Sequence, residues 1–185
     1  MPTSTREALV AAATDLLDEG GPERVTLREV GRRSGVSHNA PYKHFTGKQD
    51  LLAAVAAREL DAYAEALRAG GHDGGLSRAV AAYVTRALAH PARFRLVYGP
   101  WPAGVGQLGE AAERAWTSLV ETVSAEQRAG WLPVTIGAVR LADLIRSTVH
   151  GAVDLELGGH LTKHEHGPAS PVEVVEDLLA ALRRD

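Results

Sequence analysis

Residues 25–52, VTLREVGRRSGVSHNAPYKHFTGKQDLL, decide the fold of this chain. Their apolar spacing predicts one short helix over residues 27–33 and a second over residues 38–45. The intervening residues 34–37, Ser-Gly-Val-Ser, predict a tight turn, in which Gly35 supplies the left-handed conformation that such turns need. Two short helices joined by a glycine-containing turn form a helix-turn-helix.

The second helix of such a motif lies in the major groove of DNA, and its first residues reach the base edges. An asparagine amide pairs with adenine through two hydrogen bonds, and an alanine methyl contacts the methyl of thymine. We therefore expect base contacts from the residues at the start of this helix, which are Ser37, His38, Asn39 and Ala40.

The flanks of the motif carry side chains suited to phosphate oxygens, which fix the position of a protein on DNA without reading its sequence. These residues are Tyr42, Lys43, His44 and Lys48. Arg28 can reach a phosphate or a guanine edge. The chain has a net charge of −3, yet residues 24–48 contain six basic residues and one acidic residue. An isolated basic cluster is often only a solvated surface, but its position on this motif favours DNA binding.

The rest of the chain has helical periodicity, without the alternation typical of strands. We expect an all-α fold with a three-helix helix-turn-helix domain over residues 1–48. A long helix joins it to a helical bundle for effector binding and dimerisation, over residues 49–185. The predicted helices outside the motif are 5–19, 47–68, 76–89, one opened by Pro91, 107–129, 134–157 and 171–183. Residues 70–75 are interpreted as a flexible joint, and residues 99–106 as a loop.

Four residue pairs match the capping box, in which two side chains satisfy the first backbone N–H groups of a helix. The pairs are Ser4 with Glu7, Thr26 with Glu29, Thr46 with Gln49 and Ser170 with Glu173. Each pair opens an amphipathic run, which strengthens the helix assignments.

The composition excludes several classes of protein. The chain contains no cysteine, so disulfides, thiolate metal sites and cysteine nucleophiles are excluded. No apolar run approaches the roughly 18 residues of a membrane span, and the polar N-terminus does not resemble a signal peptide, so a cytoplasmic location is expected. No phosphate loop, nucleophile elbow or metalloprotease helix is present, so we expect neither an enzyme nor a bound cofactor.

Residues 25–52 resemble the DNA-binding domain of the TetR family of bacterial regulators, and the resemblance extends over residues 4–67. It depends on the Val-Thr-Leu-Arg start, the Ser-Gly-Val-Ser turn, Tyr42, the His-Phe pair at 44–45, and Lys48 before Leu51 and Leu52. The resemblance implies that seven residues face DNA: Thr26, Arg28, Ser37, Asn39, Tyr42, His44 and Lys48. Pro41 is unusual in a recognition helix, although so early in the helix it removes only one hydrogen bond.

A second resemblance covers residues 83–159. The runs YVTRALAHPARFRLVYGP and VHGAVDLELGG look like the C-terminal domain known by its Trp-His-Gly motif in some TetR-type regulators. His150 and Gly151 match this motif, whereas no tryptophan lies in residues 144–149.

Six residues are candidates for lining an effector cavity: Tyr83, Phe94, Tyr98, Trp101, Trp116 and His150. Aromatic side chains at helical spacing more often pack in a core, and so does a histidine on an apolar helix, so both interpretations stay open. The histidines His160, His164 and His166 lie among glycines, where a solvated loop is favoured over a metal site.

The last two long helices carry apolar faces that need burial. Packed against their symmetry mates, they would form a four-helix interface about a two-fold axis; alternatively, they close only their own core. The residues predicted for the homodimer interface are Leu141, Ile145, Val149, Val175, Leu178, Leu179 and Leu182.

Together these patterns predict a ligand-responsive transcriptional regulator. We expect a repressor that a small-molecule effector releases from a palindromic operator. An activator, and an architectural DNA-binding protein without an effector, are the alternatives. Ligand-dependent loss of operator binding distinguishes the regulator from the architectural protein.

Overall fold

The computed structural model describes residues 4–70, 75–101, 106–161 and 170–183, and within them it contains α-helices, one short 3-10 helix and no strand. The predicted all-α fold is confirmed. The α-helices are α1 (Thr5–Gly20), α2 (Leu27–Arg33), α3 (Ala40–His44), α4 (Lys48–Ala69), α5 (Gly75–Ala89), α6 (Pro91–Val97), α7 (Gly106–Arg128), α8 (Ala138–Leu157) and α9 (Pro171–Leu182).

Two helices begin two or more residues later than the periodicity predicts. The helix predicted over residues 38–45 begins at Ala40, because Pro41 sits in its first turn and the Ala40 backbone N–H closes a turn on the Ser37 carbonyl at 2.9 Å. The helix predicted over residues 134–157 begins at Ala138. The residues before it form a loop, in which the Gln127 side chain donates to the Pro133 carbonyl at 2.6 Å and to the Ile136 carbonyl at 2.8 Å.

The helix starts mostly follow the predicted capping pairs. Complete capping boxes form at Ser4 and at Ser170, and Thr26 accepts a hydrogen bond from the Glu29 backbone N–H. The pairing of Thr46 with Gln49 is wrong: the N–H and the hydroxyl of Thr46 both donate to Asp50, at 2.9 and 3.2 Å. Because α4 begins at Lys48, its third residue is Asp50 and not Gln49.

One compact unit, unit 1, comprises residues 1–61 and 90–113. Its apolar core is contributed by α1, the helix-turn-helix and the first half of α4. Three apolar side chains from α6 and the segment after it pack against this core, namely Ala92, Leu96 and Trp101. A helix from beyond residue 49 is therefore part of the same packed body as the helix-turn-helix.

The second compact unit, unit 2, comprises residues 62–89 and 114–185, and within it α5, α8 and α9 pack against one another. The two units are defined by packing, whereas the division into residues 1–48 and 49–185 is one of function and stays a prediction. No helix among the described residues is long and apolar enough to cross a membrane.

The burial in unit 2 corrects most of the residues predicted for a dimer interface. Five of the seven are buried within a single chain, namely Leu141, Ile145, Val149, Val175 and Leu179. They belong to the buried core of the chain and leave at most 5% of their surface exposed to a second copy. Leu178 and Leu182 are half-buried.

Parts of three predicted segments lie outside the described residues: 71–74 of the joint, 102–105 of the loop, and the histidine-rich loop with His164 and His166. At the ends of the joint, a β-carbon on Gly70 would lie 2.7 Å from the Gly75 carbonyl oxygen, so the backbones of α4 and α5 approach closely there. Glycine at both positions therefore permits close packing.

Candidate nucleic-acid interface

The turn between α2 and α3 is fixed by local hydrogen bonds. The Ser34 hydroxyl donates to the Val30 carbonyl at 2.6 Å, and the Val36 N–H donates to the Gly31 carbonyl at 3.3 Å. Gly35 has a φ of +68°, the left-handed conformation that the sequence predicts for it. These contacts fix the end of α2 and the turn that leads to α3.

The residues predicted to read bases lie at the start of α3. Ser37, His38 and Asn39 are exposed in the turn that precedes the helix, and Ala40, its first residue, is half-buried. Asn39 is the N-cap residue, yet its side chain makes no capping hydrogen bond among the described residues. Its amide is therefore able to pair with an external donor and acceptor.

The predicted phosphate contacts surround this turn. Tyr42 is 56% exposed, and its ring lies edge-on to His38 with the centroids 6.2 Å apart. Lys43 and His44 are exposed, and Lys48 is half-buried. Thr26 and Arg28, at the start of α2, are also exposed. Contact of these residues with DNA stays a prediction.

Ion pairs reduce the positive charge that the sequence predicts for residues 24–48. Four of the six basic residues pair with glutamates: Arg33 and Arg24 with Glu19 at 2.5 and 3.9 Å, Arg32 with Glu29 at 2.6 Å, and Lys48 with Glu23 at 3.7 Å. Hydrogen bonds from Arg33 and Arg32 lower the pKa values of Glu19 and Glu29 respectively.

Two basic residues of this segment stay uncompensated. Among the described residues, Arg28 and Lys43 have no ion-pair partner, and the 3.7 Å pair of Lys48 with the exposed Glu23 is weak enough to exchange for a phosphate. A count of charges within residues 24–48 leaves out Glu19 and Glu23, because these glutamates precede the segment in sequence. They pair with its basic residues only in the folded chain.

An ion-pair network within unit 1 was not predicted. Arg93 of α6 donates to both carboxylate oxygens of Asp18 in α1, at 2.9 and 2.5 Å, and to Glu59 of α4 at 3.2 Å. His90 lies 3.1 Å from Asp18, and Glu59 is only 1% exposed. The network ties α6 to two helices that build the helix-turn-helix core. No local pattern links these residues, which are far apart in sequence.

The six residues predicted to line an effector cavity divide between the two units. In unit 1, the rings of Phe94 and Tyr98 lie 5.6 Å apart, and the Trp101 indole donates to the Leu96 carbonyl at 3.0 Å. Phe94 is buried in the core, whereas Tyr98 is exposed. These residues contribute to the packing of α6.

The remaining three candidates lie in unit 2. The Tyr83 ring packs on Tyr63 with centroids 4.6 Å apart, and the Arg146 guanidinium lies over the Trp116 ring at 4.7 Å. His150 is half-buried, and burial lowers its pKa. Neither unit contains all six residues, and their role in ligand binding stays a prediction.

Two family models match the chain. The model described as bacterial regulatory proteins, tetR family, matches residues 9–55, and the model described as tetracyclin repressor-like, C-terminal domain, matches residues 76–182. The second match covers more than half of the chain. Membership of the Trp-His-Gly subfamily stays a prediction.

Curated relatives match over the N-terminal part. A helix-turn-helix-type transcriptional repressor of Mycobacterium tuberculosis is 41% identical over 58 residues, which are 30% of this chain and 31% of the relative. The class A tetracycline repressor from transposon 1721, from Escherichia coli, is 39% identical over 71 residues, 38% of this chain and 29% of the repressor. The chain thus spans about a third of the length of the curated relatives it matches.

Solved structures match over nearly the whole chain. A protein of unknown function from Rhodococcus sp. RHA1 has a TM-score of 0.81 and 32% identity, covering 98% of this chain and 94% of that one. The regulator FadR from Bacillus subtilis, in complex with stearoyl-CoA, has a TM-score of 0.72 and 13% identity, covering 96% of this chain and 97% of that one. At that identity, the second likeness shows the fold alone.

Proposed function

Because the chain belongs to the TetR family of bacterial regulatory proteins, we propose that it is a transcriptional repressor that binds duplex DNA through α2, the turn and α3. The observation that carries this proposal is the exposed start of α3, where the Asn39 amide is not used for capping. Such a regulator acts on DNA in the cytoplasm and needs neither a catalytic step nor a cofactor.

The proposed contacts divide by chemistry. Asn39 pairs with an adenine edge, while Ser37 and His38 lie beside it at the groove floor. Tyr42, Lys43 and Lys48 contact phosphates, together with Thr26 and His44 at the flanks. Arg28 is exposed and without an ion pair among the described residues, so it is able to approach a phosphate or guanine.

Selection of bound sequences from a random duplex pool tests this function. We expect one preferred motif, bound at least about 10³-fold more tightly than a scrambled duplex at physiological salt. Fluorescence anisotropy measures both affinities. A purified protein without affinity for any duplex at low ionic strength would contradict the proposal.

We also propose a homodimer formed by the outward faces of α8 and α9. On α8, Leu144 and Leu155 are 45% and 47% exposed, and between them Gly151 has nothing within 4 Å of the position of a β-carbon. On α9, Val174 and Leu178 are half-buried. These apolar surfaces are continuous with the core of the same helices, and a second copy would cover them about a two-fold axis.

The dimer sets the spacing of the operator. Two copies of α3 related by a two-fold axis fit half-sites one helical turn of DNA apart, about 34–36 Å. The selected motif should therefore be a palindrome whose half-sites are centred about 10 base pairs apart, or a multiple of that spacing.

Sedimentation of charged variants tests the interface. The double variant Leu144→Glu and Leu178→Glu should sediment as a monomer, since it places charges on both proposed faces. Val134→Glu is the matched control, because Val134 is 76% exposed but lies outside α8 and α9. A dimer that persists in the double variant would contradict this interface.

The effector is proposed to act through α6. This helix packs on the core of unit 1 and is tied by Arg93 to Asp18 and Glu59, so a ligand that displaces α6 strains the helices that hold α3. The proposed effector is a small molecule. Phe94, Tyr98 and Trp101 are its candidate contacts in unit 1, and Tyr83, Trp116 and His150 are separate candidates in unit 2. Its effect is limited to its differential affinity for the two states, typically about 1–3 kcal/mol.

A metabolite library added to the protein–operator complex identifies the effector by loss of anisotropy. In an Arg93→Ala protein that still binds DNA, the same ligand should bind with less effect on the operator, because the link between α6 and α1 is removed. An unchanged ligand effect in this variant would contradict the role of the network.

A further inference from the structure

The geometry points to Gly31 and Pro41 as the pair that positions α3, the recognition helix, on α2. The inference rests on the proposed DNA-binding function and adds two positioning residues to it. Both residues are buried, so neither is placed to contact DNA itself. They act through the exposed residues on either side of Pro41.

The contact between the two residues leaves no space for a side chain on α2. A β-carbon at position 31 would lie 2.9 Å from Cγ of Pro41 and 3.5 Å from its Cδ. Apart from the atoms beside it along the chain, a real β-carbon essentially never comes within 3.0 Å of another heavy atom. The proline ring therefore occupies the space that any residue other than glycine would need at position 31.

This contact joins α3 to α2, and α3 also packs against α1. The helix has five residues, all of them described, and Pro41 is the one that is buried within it. Its neighbours Tyr42 and Lys43 are exposed, and only Phe45, directly after the helix, adds a second buried anchor. A helix this short is not stable through its own hydrogen bonds, so these two contacts set its orientation.

The proline ring makes the contact stiff. A longer aliphatic side chain can rotate away from an obstacle, whereas the proline ring is closed onto its own backbone nitrogen, so only a change of ring pucker moves Cγ. Ordinary contact begins at 3.4 Å, so a methyl at position 31 would displace α3 by about half an ångström, the tolerance within which a binding constellation must be held. Asn39 and Tyr42 would move together with the ring.

Four variants test the pair: Gly31→Ala, Pro41→Ala, the double variant, and Gly109→Ala. The last is the matched control, because Gly109 is also a helical glycine of unit 1 and has nothing within 4 Å of the position of a β-carbon. The control corrects for the intrinsic gain of alanine over glycine in a helix. Thermal unfolding measures packing, and selection from a random duplex pool measures base preference.

Gly31→Ala should unfold at a lower temperature than Gly109→Ala. It should also bind the wild-type motif about tenfold more weakly, with a relaxed preference at the base pair assigned to Asn39. Binding to a scrambled duplex should change less than the binding to the motif. Removing the ring in the double variant should restore the preference relative to Gly31→Ala alone, which a purely destabilising effect would not do.

Independent effects of the two substitutions, or a wild-type base preference in Gly31→Ala, would overturn the inference. If Gly31→Ala does not fold, recovery of folding in the double variant supports the contact, and failure to recover overturns it. A wild-type protein that binds no duplex refutes the proposed function instead. The contact between Gly31 and Pro41 is then still tested by comparing the unfolding temperatures of wild type, the two single variants and the double variant.

Discussion

The two units of the chain differ in the side chains that they leave on the surface. In unit 1, the helix-turn-helix exposes groups that form hydrogen bonds or carry charge, such as Asn39, Tyr42 and Lys43. In unit 2, α8 exposes the apolar side chains Leu144 and Leu155. A polar surface is stable in contact with water and can therefore bind DNA reversibly. An exposed apolar surface is instead typical of a permanent protein–protein interface. The surface of unit 1 thus suits reversible binding to DNA, and that of unit 2 suits a stable interface with a second copy of the chain.

The units also differ in how they hold charge. In unit 1, Arg93 meets two carboxylates, one of them buried. In unit 2, Arg146 pairs with Asp143 at 2.8 Å, and about half of each side chain is exposed. Because Glu59 is buried, its contact with Arg93 is needed for stability. The exposed pair of Arg146 and Asp143 contributes little, because water can replace either partner.

The largest expected effect comes from removing the buried arginine. Arg93→Ala should lower the free energy of unfolding by about 3–5 kcal/mol, because it takes the guanidinium away from the buried Glu59 carboxylate. Arg146→Ala, the matched change at an exposed pair, should cost at most about 2 kcal/mol, because it removes that pair and the contact with the Trp116 ring. Urea unfolding of both variants measures the difference. Equal losses would remove the distinction between the two units.

Two neighbouring leucines separate core from interface within unit 2. Leu179→Ala should cost about 2–4 kcal/mol at any protein concentration, because Leu179 is buried within one chain. Leu178→Ala should instead weaken the rise of the melting temperature with protein concentration that a dimer produces. Melting curves over a hundredfold range of concentration separate the two, with wild type as the reference. If both variants lose stability equally at all concentrations, the outward face of α9 is not an interface.

Two residues separate base reading from phosphate binding within unit 1. Asn39→Ala should lose about 1–3 kcal/mol of discrimination at one base pair of each half-site, because its amide pairs with a base edge. Lys48→Ala should weaken binding to all duplexes about equally and reduce the salt slope by about one unit. Competition with single-base operator variants at several salt concentrations measures both. An unchanged base preference in Asn39→Ala would mean that Asn39 contacts the DNA phosphates and not a base.

The smallest effect concerns the two capping boxes described above, at Ser4 in unit 1 and at Ser170 in unit 2. Hydrogen bonds from the backbone and then the hydroxyl of the capping serine lower the pKa of Glu7 and of Glu173. Since the folded pKa lies below the unfolded one, this stabilisation is present above the unfolded pKa and is lost as the pH falls through the folded pKa.

Glu7→Gln and Glu173→Gln should therefore flatten the acid limb of stability to a similar extent, because the two boxes share one geometry. Unfolding measured from neutral pH down to about pH 3 tests this. The control is Glu176→Gln, which makes the same substitution at an exposed position of α9 outside the capping box. An acid limb as steep as that of wild type in both box variants would contradict the assignment.

Short-range patterns account for what could be predicted of the fold and the candidate site. The Gly35 turn, α2, and the boxes at Ser4 and Ser170 each depend on residues within one or two turns of helix, so the sequence was sufficient. The predicted start of α3, residue 38, lies two residues before the observed start at Ala40. Helical periodicity alone does not indicate that Pro41 belongs to the first turn of a helix. The pairing of Thr46 failed for a related reason, since a shift of one residue changes the capping partner.

The contacts that join distant segments could not be predicted. Glu19 with Arg33, and Arg93 with Asp18, are brought together only when the helices pack, and no periodicity marks them. The dimer residues show the same limit. The apolar residues of α8 and α9 exceed what one core needs, and their pattern does not say which of them face inward.

The sequence by itself determined the helices, the turn and the identity of the motif, because each follows from hydrogen bonds and side-chain volumes close along the chain. Only the tertiary structure decided which leucines of α8 and α9 are covered, which arginines keep their charge available, and that the Pro41 ring rests on the bare backbone of Gly31. Those outcomes depend on how segments distant in sequence pack together, because that packing determines which side chains are buried and which charges pair.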